Sequence, residues 1–134
     1  MRRAHRRSRL TERRGTVAIE YALILPTLLL FVLGIIDISR LLWTFSTLSR
    51  ATEAAARCAA INSVDCGATG SVQSYAVSQA FGLQIATSAF TVSTPACGVQ
   101  VGGSYDFKFI IGAFAPSLGT LTLRATACYP LPPS

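Results

Sequence analysis

From Val17 to Ile36 the chain runs 20 residues with a single charge, Glu20, and no other feature limits its fold so strongly. As a helix this stretch is about 30 Å long, enough to cross the hydrocarbon of a bilayer. The composition agrees: 51% of residues are apolar, 13% are charged, and the mean hydropathy is +0.47. At 134 residues the chain has room for one small domain beside such a span. Large catalytic architectures are excluded.

The net charge of +6 is concentrated ahead of the span. Residues 1–14 hold seven arginines against Glu12, and the remainder of the chain is neutral, with Arg40, Arg50, Arg57, Lys108 and Arg124 balancing Glu20, Asp37, Glu53, Asp65 and Asp106. A basic run without aromatics, directly ahead of an apolar span, marks a cytoplasmic flank, and nucleic acid is not expected as a partner. The positive-inside bias keeps the N-terminus cytoplasmic and exports residues beyond about Ser39. All four cysteines, Cys58, Cys66, Cys97 and Cys128, then lie where disulfides persist.

Glu20 is out of place in a plain anchor, because an acid in hydrocarbon is costly unless it is paired or close to the interface. Cleavage after Gly15 would create an α-amino group on Thr16, and residues 16 and 20 are neighbours on one helical face. Gly15, the spaced Glu20 and the following Tyr21, set between basic leader and apolar run, resemble the processing site of Flp-type (type IVb) prepilins. The stretch RGTVAIEYALILPTLLLFVLGIIDISR, with Ala18, Ala22, Leu25, Pro26, Gly34, Asp37 and Arg40, is similar to the N-terminal signature of TadE-like minor pseudopilins of tight-adherence pili. The Ala- and Arg-containing segment from Ala51 to Ala60 is similar to that family's helix end. Asp37 and Ser39 stand where many relatives have glutamate and glycine.

The resemblance implies a pilin-like α+β fold, with a long N-terminal helix packed on a small antiparallel sheet beside a short second helix. It implies a leader over 1–15 removed by prepilin peptidase, a transmembrane segment over 16–38, and an extracytoplasmic domain over 39–134. The processing and assembly positions are Gly15, Thr16, Glu20 and Tyr21. The expected partners are the peptidase, other pilins and pseudopilins, the inner-membrane assembly platform and the lipid bilayer. The location is the bacterial inner membrane, or the extracellular pilus. The alternative is an uncut single-pass anchor displaying a periplasmic binding module.

Beyond the span, Leu41, Phe45, Leu48, Ala51, Ala55 and Ala59 recur every three or four residues. They predict one rod continuing to about residue 61, some 65–70 Å long from residue 16. Pro26 removes a backbone hydrogen bond and should bend it. The stripe is expected to pack against the chain's own C-terminal part. Asn62 to Gly70 reads as a turn, and Ser71 to Leu83 as a second helix closing around Gly82. Alternation around Phe90 and Val92, Val99 and Val101, Tyr105 to Ile111, and Leu121 to Ala127 predicts three or four strands, with a hairpin at Gly102 and Gly103.

Four cysteines permit three pairings, and spacing selects none. Cys58 with Cys66, and Cys97 with Cys128, are preferred. A structural zinc is disfavoured, because the close two-residue spacing of zinc knuckles is absent, and no cofactor is implied. The one histidine, His5, falls in the leader, and Asp65 and Asp106 accompany no phosphate loop or nucleophile elbow. An enzyme is not expected.

Overall fold

The computed structural model describes residues 5–132, with side chains described for Gly15 and from residue 17 onward. One helix, α1 (His5–Ile61), runs through 57 residues. It is followed by α2 (Thr69–Gln79) and three strands, β1 (Phe90–Ser93), β2 (Val99–Lys108) and β3 (Thr120–Tyr129). The fold is α+β. The sheet is antiparallel in the order β1-β2-β3, with Phe90 opposite Gly103, and Val99 opposite Tyr129 down to Lys108 opposite Thr120.

The upper half of α1 supplies Leu48, Ala51, Ala55 and Ala56 to the core. α2 adds Val72, Ala76 and Ala80, and the sheet adds Phe90, Val101 and Ala125. Small side chains on both helices let their backbones approach closely, and the Gln73 amide donates to the Phe90 carbonyl at 2.7 Å to hold α2 on β1. Packing of the α1 stripe against the chain's own C-terminal part is as expected, with one correction: Phe45 points to solvent, and the threonines Thr44 and Thr52 are buried instead. The Thr52 hydroxyl is satisfied by donating to the Ser49 carbonyl at 2.8 Å, so a polar residue costs little on this face.

Gly102 and Gly103 do not form a hairpin. They lie inside β2, which is one ten-residue strand rather than two, and neither has positive φ. Their value is the missing side chain. A Cβ on Gly103 would come within 2.9 Å of the Phe90 ring and 3.0 Å of Leu48 and Thr52, so glycine here lets α1 press onto the sheet while Phe90 fills the gap across the strand pair. The turns fall elsewhere, at Gly98 before β2 and Gly119 before β3, both with positive φ.

Two further boundaries differ from expectation. β2 stops at Lys108, so Phe109 and Ile111 leave the sheet and enter a connection built from short 3₁₀ turns at Ile111–Ala113 and Pro116–Leu118. α2 stops at Gln79, and Gly82 sits in the turn beyond it. The end of α1 at Ile61 and the end of β3 before Pro130 fall where the sequence puts them.

The cysteine pairs are Cys58–Cys66, clipping the end of α1 to the following turn, and Cys97–Cys128, tying the start of β2 to the end of β3. These are the two preferred pairs.

Candidate functional site

The lower half of α1 is the part of the molecule that its own fold leaves unserved. From Val17 to Val32 every described residue is exposed, including Tyr21 at 68%, Leu23 at 72% and Phe31 at 68%. An apolar surface of this length on a single helix is too large to face water and has the dimensions of a membrane span. α1 is therefore apolar and long enough to serve as a single-pass membrane anchor.

The residues singled out for processing lie at the start of this stretch. Gly15 stands in open space, with no atom within 4 Å of the position a Cβ would take. Helical backbone runs unbroken through residues 15–21, so residues 16 and 20 lie one turn apart on a common face. Glu20 is exposed and joins none of the hydrogen bonds or ion pairs among the described residues. The side chain of Thr16 lies outside the described residues, as do those of the arginine leader.

Pro26 is inside α1, which continues through it. Its ring nitrogen cannot donate to the carbonyl one turn earlier. The neighbouring Thr27 hydroxyl turns back to the Leu23 carbonyl at 3.4 Å, the kind of local adjustment an apolar surrounding favours.

At the upper end of the apolar stretch stands a residue whose role the sequence reading missed. Asp37 is 3% exposed. Its carboxylate accepts the Ile110 amide at 3.0 Å through Oδ1, the Ile111 amide at 2.9 Å through Oδ2, and Arg40 Nη1 at 3.1 Å. Ile110 and Ile111 open the 3₁₀ turn at Ile111–Ala113, where backbone amides lack internal acceptors. Asp37 thus fastens the β2–β3 connection to the rod. Arg40 completes the junction by stacking over the Phe107 ring, 5.2 Å from its centre, and Phe107 meets Phe109 edge to face at 5.1 Å. The only sequence signal was a conspicuous one: an acid directly after an apolar span, three residues before an arginine.

The sheet face away from α1 is polar. Thr91, Ser104, Asp106, Thr122, Arg124 and Thr126 line a shallow, open depression there, and the Thr122 hydroxyl donates to Asp106 at 2.6 Å. Among the described residues no three His, Cys, Asp or Glu side chains converge as a metal site would require.

Comparison with known proteins adds one match. Residues 15–57 match the family described as TadE-like protein, about a third of the chain, spanning the apolar stretch and most of the α1 segment above it. The match is consistent with a TadE-like protein of the tight-adherence pilus system. No curated protein and no solved structure matches the chain.

Proposed function

From an N-terminal segment that is TadE-like, we propose that this chain is a minor pseudopilin taking part in the assembly of a type IVb (Flp/Tad) pilus for surface adherence and biofilm formation. The precursor inserts with its arginine leader in the cytoplasm and residues 39–134 outside, the transmembrane segment occupying 16–38. Prepilin peptidase cuts after Gly15. The new Thr16 amine then meets the Glu20 carboxylate within one helical turn, in the same subunit or an adjacent one, and this pairing sets the register in which the helix joins other pilins, pseudopilins or the inner-membrane assembly platform. Helix packing supplies the cohesion. The chain does no chemistry of its own in this scheme.

The observation that carries the reading is the TadE-like match running from Gly15 through the whole exposed apolar helix. A helix that buries almost nothing inside its own fold is suited to burying itself among lipids and other helices.

The test is a pair of substitutions in cells that make the pilus. Gly15→Leu should leave the leader attached, and normal cleavage of that variant would remove Gly15 from the processing role. Glu20→Gln should be inserted, folded and cleaved but should fail to support assembly, whereas normal piliation would remove the register role.

A further inference from the structure

The connection between β2 and β3 carries an apolar surface that the protein leaves uncovered. No charge occurs from Phe109 to Leu123, a run of 15 residues. Within it Phe114 is 70% exposed and Leu118 49%, with Ile110 and Leu121 also open. Such a stretch on a small exported domain requires an apolar partner.

Its position identifies the partner. The Asp37 carboxylate holds the amides of Ile110 and Ile111, and Asp37 is the residue directly after the apolar span. The connection also reaches deeper, since a Cβ on Gly34 would stand 3.7 Å from Ile111 Cδ1. The connection is therefore anchored at the level of the last turn of the span, where the hydrocarbon of a bilayer gives way to headgroups, and Phe114 and Leu118 follow that anchor within three and seven residues of Ile111.

The backbone suits that environment as well. Phe114 and Ala115 donate to the Ile111 carbonyl at 2.8 and 2.9 Å, Ala113 to Ile110 at 3.2 Å, Leu118 to Ala115 at 3.0 Å, and Gly119 to Pro116 at 3.2 Å. With these five amides bonded within the segment and those of Ile110 and Ile111 held by Asp37, the cost of entering a water-poor layer is lowered. Lys108, which borders the connection, is exposed and carries the positive charge that a lipid phosphate would meet. Asp106, two residues up β2, is engaged by Thr122, and Asp37 by Arg40 and the two amides.

We propose that the β2–β3 connection is a second membrane contact: Phe114 and Leu118 insert into the outer face of the bilayer that α1 spans, seating the exported domain on the lipid surface. The proposal rests on α1 being a membrane span, and its test separates the two.

The full-length chain is placed, one copy per disc, in nanodiscs containing anionic phospholipid. Trp43, the sole tryptophan, is changed to phenylalanine. Single tryptophans are then introduced as Phe114→Trp, Leu118→Trp, Leu25→Trp in the middle of the span, and Val64→Trp at the far end of the domain. Phospholipids brominated on the upper acyl chain serve as the quencher. Blue-shifted emission and loss of most intensity are expected for Phe114→Trp and Leu118→Trp, as for Leu25→Trp, with Val64→Trp unquenched. If Phe114→Trp and Leu118→Trp both behave like Val64→Trp while Leu25→Trp is quenched, the second contact is overturned and the span stands. If Leu25→Trp also escapes quenching, the span reading falls and takes the proposal with it.

Discussion

The two halves of α1 are one continuous helix in opposite circumstances. Above Asp37 the helix buries Leu48, Ala51, Ala55 and Ala56 against α2 and the sheet, and two disulfides brace the fold it packs into. Below Asp37 it buries next to nothing, although its side chains are larger and more apolar. Hydrophobicity alone therefore does not tell where this protein's core lies. The upper half uses alanines because neighbours must come close to it, whereas the Leu, Ile, Val and Phe of the lower half meet no neighbour from their own chain and suit an apolar surrounding.

That contrast can be broken or sharpened by substitution, read as thermal or denaturant stability of the folded part above Asp37. The largest effect belongs to Phe90→Ala. The ring is fully buried over Gly103, and its removal should cost about 3–5 kcal/mol.

Next comes Asp37→Ala at the border between the halves. It orphans two amides and unpairs Arg40, at a cost of about 2 kcal/mol, and should speed amide exchange at Ile110 and Ile111. Asp37→Asn keeps an acceptor and should lose less.

Gly103→Ala should follow at about 1–2 kcal/mol, because Phe90, Leu48 and Thr52 must all move to admit a methyl group. The smallest effect should come from Leu28→Ala in the lower half, within about 0.5 kcal/mol, since the side chain touches nothing that holds the domain together. A large loss from Leu28→Ala would mean that the two halves are not independent.

The sequence revealed features that repeat or stand out locally. The apolar run, broken only by Glu20, marked the part of α1 that its own fold leaves exposed. Three- and four-residue spacing carried the rod to Ile61, and period-two alternation found the strands. What it concealed depends on contacts between distant parts of the chain. Gly102 and Gly103 look like a turn because glycine pairs usually supply positive φ. Here the demand is for space beneath α1, which only the folded neighbours reveal. Asp37 was visible as one element of a family signature, three residues before Arg40, yet its other two partners are backbone amides more than seventy positions away, and a backbone amide has no sequence signature. Phe109 and Ile111 continue the alternation of β2 but follow the pull of the Asp37 carboxylate out of the sheet. Phe45 fits the stripe by spacing alone, and the face it occupies has no neighbour.

The account turns on the lower half of α1 being delivered to its partners by removal of the basic leader. The most direct measurement is the intact mass of the protein extracted from membranes of cells that contain the prepilin peptidase. The account predicts a chain that begins at Thr16, with both disulfides formed. A mass that retains the seven arginines would contradict it and leave a tethered extracytoplasmic module in place of a pilus subunit.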